Sequence, residues 1–346
     1  MLKRLFAKDL LVWTHHRVLP TGARAAVSQD LLRRQLELSQ RQGHVFVDTG
    51  GLRDWLDGKL DRSRRHAMLS FDDGWADNLF WATPVLREFG VRAVLALNTG
   101  LADLDSPAPP RHGEDYQIVD SKQALAAASF GADKASFLTR SELLELRDSG
   151  LWDIQAHGHS HLACYSDLSR PRGFHPDKSH WSLERALGAP PFPGAPRGEF
   201  LSDLAAPATA LDASLRQALA DAKDSKERLE LIRRHPLPLR QTESREEFRA
   251  RLRDNLATCA DLMERTLGTR PRALFWPWGH CSADSEAVAL ELGFDLLLTM
   301  DKDAVRPDTP KSHIPRIAVP DNLGKFKKQL LVFSTPLLRR ARKLFA

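Results

Sequence analysis

Cysteine is scarce: Cys164, Cys259 and Cys281 are the only three among 346 residues. An odd, widely spaced set gives no disulfide framework, which excludes a small disulfide scaffold and favours a reducing compartment. Long apolar runs are also missing. Nothing approaches the roughly 18 consecutive apolar residues of a membrane span. The opening MLKRLFAKDLLVWTHHRV is basic, but Lys8 and Asp9 interrupt its apolar stretch and no small-residue cleavage site follows, so it does not read as a signal peptide. The net charge is +5, yet no finger, helix-turn-helix or RNA motif accompanies it, so no nucleic-acid partner is expected. Acid is absent from KFKKQLLVFSTPLLRRARKLFA (325–346), which holds seven Lys or Arg. Such a segment reads equally as a solvated terminal helix or as an amphipathic face for an anionic membrane surface.

What is present is ordinary for a globular chain: 42% hydrophobic and 27% charged residues. The length suits one large α/β domain or two smaller ones. Apolar runs that read as strands (9–16, 44–49, 66–73, 91–100, 151–161, 271–279, 295–300, 314–320) alternate with segments of helical spacing (28–43, 51–58, 76–90 with a bend at Pro84, 139–150, 244–268, 283–294). That rhythm predicts a parallel α/β arrangement. It breaks over about 162–245, a proline-rich stretch with one helical segment at 212–234, expected to be an insertion forming a lid or a wall beside the substrate.

Three clusters end predicted strands, where parallel α/β folds collect their active sites. The first is LSFDDG, with Asp72 and Asp73 adjacent. Two neighbouring acids repel, and a cation is one way to offset them. The second is HGHSH, with His157, His159 and His161; two of these imidazoles can converge whether the segment is extended or helical. The third is FWPWG, Phe275 to Gly279. Two histidines and one carboxylate leave positions open on a divalent metal, as catalysis requires. Each cluster alone has a plainer reading, as a turn or cap, a surface histidine group, or core aromatics with a turn. Their coincidence, in order and each at a strand end, favours the functional one.

LSFDDG, HGHSH and FWPWG resemble the motifs of the polysaccharide deacetylase family, also called the NodB-homology or carbohydrate esterase 4 family. VWTHHRV and IPRIAV are similar to its first and last strands, so the resemblance runs over about residues 9–320 without the insertion. It implies a distorted (β/α) barrel with a long insertion between the second and third motifs, a catalytic domain over 1–324 and a basic tail over 325–346. It also implies a metal-dependent carbohydrate N-deacetylase, usually with zinc. Residue by residue, Asp72 matches the general base, Asp73, His157 and His161 match the metal ligands, and Trp278 matches the residue whose backbone N–H steadies the oxyanion. His159 matches no ligand.

Two departures stand out. Many members carry an arginine, bracing the base, in the place held here by Phe275; Arg316 in the last strand is the candidate replacement. The late Leu-x-x-His-Asp motif that supplies the general acid has no match, which leaves His16, His280 and His313 as candidates. The expected substrate is an N-acylated sugar or glycan, nucleotide- or lipid-linked, in cell-envelope glycan or lipopolysaccharide synthesis. The expected location is cytoplasmic, peripheral at the inner membrane. The alternative is a pseudoenzyme that binds metal and sugar without hydrolysis.

Overall fold

The computed structural model describes residues 8–23, 26–130, 133–176, 182 and 192–344. Eight parallel strands form the central sheet: β1 (Leu11–His15), β2 (His44–Phe46), β3 (Arg65–Asp73), β4 (Ala93–Leu97), β5 (Trp152–Ala156), β6 (Ala273–Phe275), β7 (Leu296–Leu298) and β8 (Ile317–Ala318). They lie in the order β7-β6-β5-β4-β3-β1-β8, with β2 beside the start of β3. A parallel bridge from Leu298 to Ile314 leads from β7 towards β8, so the sheet curls round as a distorted barrel.

The strands are buried on both faces, and successive residues divide between two cores. Leu11, Trp13, Leu69, Phe71, Leu95 and Leu97 meet the surrounding helices. Val12, Met68, Val94, Ala96, Phe275 and Leu298 fill the inside of the curl. The register pairs Val12 with Met68 and Trp13 with Ile317. Period-two alternation therefore places Asp72, two pleats on from Met68, and Arg316, next to Ile317, on the inner face.

Local chemistry sets the helix ends. Helix α1 (Gln29–Arg41) starts where the Ser28 side chain accepts from the Leu31 N–H. Helix α2 (Thr49–Leu56) sends Leu52 and Trp55 into the inner core. The helical run before and after Pro84 is continuous but not uniform. A π-turn over Asn78–Ala82 comes first, and α3 (Thr83–Phe89) continues it with Pro84 in its first turn, so the irregular turn falls directly before the residue that lacks an N–H. Helix α4 (Ser121–Phe130) was not foreseen from the sequence, whereas α5 (Arg140–Asp148) lies within the expected 139–150 and is opened by a Thr139–Glu142 capping box.

The 162–245 stretch is more ordered than its prolines imply. Ala163–Asp167 pairs antiparallel with Glu199–Ser202, and Thr209–Leu211 with Leu239–Gln241. The single helix expected at 212–234 is two, α6 (Ala213–Asp221) and α7 (Ser225–Arg234). Ala222 turns extended, and the Asp224 side chain accepts from the Lys226 and Glu227 N–H groups to start the second. Tyr165, Phe192, Leu211, Leu215 and Ile232 form a separate small core, and Trp278 packs against it.

Three helices follow: α8 (Arg245–Leu267), α9 (Ala283–Glu291) and α10 (Leu323–Ser334). In α10, Phe326, Leu330 and Phe333 are buried, and the Phe326 ring lies 4.9 Å from that of Trp13. Pro336 then opens α11 (Pro336–Leu344). No described helix is long and apolar enough to cross a membrane.

Two buried histidines make this core acid-sensitive. Burial lowers both His15 and His44 from 6.5 to about 4. The unfolded chain takes up protons near 6.5 while the folded one refuses them until about 4. Each imidazole therefore removes about 1.4 kcal/mol of stability per pH unit below 6.5. Urea midpoints should fall steadily between pH 6.5 and 5, and His44→Asn should remove one histidine's share of that slope. Equal slopes in the two proteins would refute the assignment.

Candidate active site

Asp72 and Asp73 end β3. In an ordinary strand they would point to opposite faces, but Asp73 has φ 78°. Trp278 has φ 53°, and these are the only two non-glycine residues among the described ones with a left-handed backbone. Such conformations cost roughly 1–3 kcal/mol each and persist where surroundings enforce them. Both lie in the motifs singled out from the sequence. Gly74, at φ 90°, completes the turn; a Cβ there would also come within 2.7 Å of Leu97 Cδ1.

The turned Asp73 carboxylate meets two imidazoles. Its Oδ1 lies 3.4 Å from His157 Nε2 and 3.5 Å from His161 Nε2. Its Oδ2 accepts from Trp75 Nε1 at 2.9 Å. Oδ1 is buried and makes no hydrogen bond. His157 Nδ1 donates to the Phe275 carbonyl oxygen at 2.7 Å, which turns Nε2 towards Oδ1. Burial lowers His161 to about 4, so it is neutral at pH 7. An anionic oxygen set between two imidazole nitrogens is the arrangement a cation would complete. A divalent ion suits this donor set of one carboxylate and two imidazoles.

Gly158 turns the chain at φ 76° directly after His157. His159 therefore does not join the other two. Its Nδ1 lies 3.0 Å from Thr99 Oγ1, and its backbone N–H donates to Asn255 Oδ1 at 2.9 Å. His159 and His161 line a groove of about 240 Å³ with Asn98, Gly100 and Leu162.

Asp72 meets Arg316. The guanidinium Nη1 donates to Oδ1 and Oδ2 at 2.7 and 2.9 Å, Nε donates to the Thr299 carbonyl at 2.9 Å, and Phe275 lies 5.0 Å beneath Cζ. Phe275, in the place of the family's usual arginine, thus forms the platform for an arginine from the last strand. Burial works to raise the Asp72 carboxyl, but the charge of Arg316 overrides it and holds the group below its ordinary value. The pair is enclosed, at 0% and 4% side-chain exposure. Arg316→Gln should therefore destabilise the protein by about 3–5 kcal/mol by stranding a buried carboxylate, and adding Asp72→Asn should recover much of that loss. Additive losses in urea unfolding would contradict a coupled pair.

Trp278 stands over His161 edge to face, with ring centres 4.1 Å apart, and touches Phe200 of the insertion at 5.5 Å. The three histidines considered for the acid role separate. His313 is taken by Glu286 and Asp301, and His280 accepts from the Ser202 N–H. His16, exposed after β1, lines a groove of about 120 Å³ with Arg17 and Asp321.

Sequence reasoning missed the support behind Asp73. Trp75 holds the carboxylate, Arg17 lies 4.4 Å over the Trp75 ring, and Asp77 pairs with Arg17 at 2.6 Å with both side chains buried. The signal was present in GWAD, directly after the two acids, but nothing in the spacing tied it to an arginine far upstream.

The polysaccharide deacetylase model matches residues 59–215. Among curated proteins no relative matches the chain. Among solved structures, the chain is similar to a de-N-acetylase from Aggregatibacter actinomycetemcomitans, at 18% identity and TM-score 0.59, covering 93% of this chain and 100% of that one. The BpsB deacetylase domain from Bordetella bronchiseptica is similar at 20% identity and TM-score 0.57, covering 91% and 96%. The Streptococcus pyogenes deacetylase PplD, in complex with acetate, is similar at 14% identity and TM-score 0.57, covering 95% and 100%. At these identities the structural likeness establishes the fold: a parallel sheet curled into a (β/α) barrel with helices around it.

Proposed function

We propose that the chain is a member of the polysaccharide deacetylase family, whose model matches residues 59–215, and that it is a metal-dependent hydrolase that removes the N-acetyl group of an amino sugar. The observation that carries this reading is the hydrogen-bond-free Asp73 Oδ1 facing His157 and His161, beside a separate, arginine-braced Asp72. Asp73, His157 and His161 would hold the cation, for which zinc fits best. Once bound, it supplies Lewis acidity towards a carbonyl oxygen and acidity towards a water.

The rest of the chemistry falls to the chain's own groups. Asp72 takes the proton of the attacking water, and Arg316 keeps that carboxylate ionised and fixed in direction. The Trp278 N–H donates to the carbonyl oxygen as charge gathers on it. The amide C–N bond breaks, the water oxygen joins the acyl carbon, and the leaving nitrogen needs a proton. His16 is the acid proposed for that proton, supported by its place directly after β1, whose last residue His15 pairs with Phe71 beside Asp72. The products are a free amino sugar and acetate.

The finer assignment follows chemistry and charge. The substrate is an N-acetylated sugar, nucleotide- or lipid-linked, in cell-envelope glycan or lipopolysaccharide synthesis, and the setting is the cytoplasmic side of the inner membrane. The exposed Leu331, Leu337 and Leu338 on basic α10 and α11 support a surface-bound protein. Full-length protein should sediment with anionic vesicles several-fold more than with neutral ones, and a Leu337→Glu, Leu338→Glu variant should lose that preference. Equal sedimentation of the two proteins removes the membrane role.

Acetate release from a panel of N-acetylated glycans and sugar nucleotides tests the activity. Release from at least one member is expected. Binding of metal and sugar with no release from any would favour the pseudoenzyme, for which the absent late histidine motif speaks.

A further inference from the structure

A second cluster of metal-ligating groups lies outside this site. Cys281 follows the Pro277–Gly279 turn, Glu286 stands in the first turn of α9, Asp301 follows β7, and His313 directly precedes the bridging Ile314. Separate in sequence, they converge in space. Glu286 Oε1 lies 3.8 Å from Cys281 Sγ and 3.3 Å from His313 Nδ1, while His313 Nε2 lies 2.6 Å from Asp301 Oδ2. One donor atom each from Cys281, Glu286 and His313 lies within 4.8 Å of the other two.

The imidazole decides what this arrangement is for. Its short contact with Asp301 takes the Nε2 proton, and Thr299 Oγ1 donates to the same carboxylate oxygen at 3.0 Å, which fixes the acceptor. Nδ1 is then left facing a second carboxylate. Either the ring is an imidazolium between two acids, or its bare Nδ1 and Glu286 share a cation. A histidine oriented by a carboxylate through its other nitrogen is the usual partner arrangement of a metal ligand. The thiol distinguishes the two cases. Burial and the Glu286 and Asp301 charges push Cys281 up to about 12, so by itself it is an inert thiol in an acidic setting and no nucleophile. As it stands the thiol donates to Glu286 Oε1, and a cation in its proton's place would be met by the sulfur, the carboxylate and the His313 Nδ1 together.

We propose that Cys281, Glu286 and His313 form a second divalent-metal site, of zinc type, with Asp301 orienting His313. Thiolate, imidazole and carboxylate together are a zinc donor set. The site is structural. It ties the start of α9 to the segments after β7 and before β8, next to the turn that carries Trp278. That turn already fits tightly: a Cβ on Gly279, at φ 77°, would come within 2.2 Å of the Met300 nitrogen.

The test uses the full-length chain loaded with Zn²⁺ or Co²⁺. Wild type should bind two equivalents of zinc and show a sulfur neighbour at about 2.3 Å in zinc-edge X-ray absorption. Its cobalt form should show a sulfur-to-cobalt charge-transfer band in the near ultraviolet. Cys281→Ser and, independently, the half-exposed His313→Gln should each lose the band and one equivalent. His157→Ala should lose one equivalent and keep the band. The Asp73 site contains no sulfur, so this readout stands or falls apart from the proposed hydrolysis. Absence of any sulfur signal at saturating metal, or a band that survives Cys281→Ser, overturns the second site.

Discussion

Asp73→Asn is expected to weaken metal binding between residues 73, 157 and 161 by at least about 100-fold and to lower acetate release by about 10³–10⁴-fold. The first figure follows because even groups that only orient ligands are worth 10–100-fold in affinity. The second follows because Lewis-acid stabilisation amounts to several kcal/mol, with each 1.36 kcal/mol a factor of ten. The fold itself should not suffer. The asparagine oxygen can accept from Trp75 Nε1 as Asp73 Oδ2 does now, which turns its NH₂ towards the Nε2 atoms of His157 and His161. The substitution keeps the bond to Trp75 and removes a buried charge, so the metal-free variant should melt close to the temperature of the metal-free wild type. Calorimetry with metal analysis checks both halves. Full metal retention by Asp73→Asn would show that the cation sits elsewhere.

Asp72→Asn is the second large effect, with the opposite metal signature. The variant should keep its metal while kcat falls by about 10²–10⁴-fold with KM little changed, the range for loss of a positioned base. The geometry explains why these neighbouring acids differ. Asp72 is held on both oxygens by Arg316 and lies on the inner face, while Asp73 is turned by its left-handed backbone towards the imidazoles. Because the substitution leaves Arg316 without its anion in a buried place, folding must be verified by circular dichroism beside the rate. A fall of less than ten-fold in folded, metal-bound protein would remove Asp72 as the base.

The site was legible in the sequence because its ingredients sit at strand ends within short motifs: two acids, two histidines four apart, and an aromatic turn. The alternating elements were legible for a similar reason. Ser28 marks a helix start by side-chain chemistry that acts over three residues, and the structure shows Thr139 and Ser244 acting likewise. What was not legible depends on contacts between distant residues or on single torsions. The left-handed φ values at Asp73 and Gly158 decide which carboxylate and which histidines meet, and neighbouring residue types do not announce them. Arg17 and Trp75 brace Asp73 from outside the motif's spacing. The single helix read over 212–234 is broken by Asp224, whose capping contacts the helical periodicity concealed. Arg316 was within reach only because it lies in the last strand; its bond to Asp72 follows from β8 pairing with β1, which in turn pairs with β3.

The central claim is that Asp73, His157 and His161 hold a cation without which the acyl group is not removed. The most direct test is acetate release by full-length protein stripped with a chelator, measured as zinc is titrated back. The account predicts negligible release from the stripped protein, recovery to the original rate as zinc is restored, and no recovery in His157→Ala. A stripped protein that keeps the full rate, or a His157→Ala variant that recovers as wild type does, would contradict it.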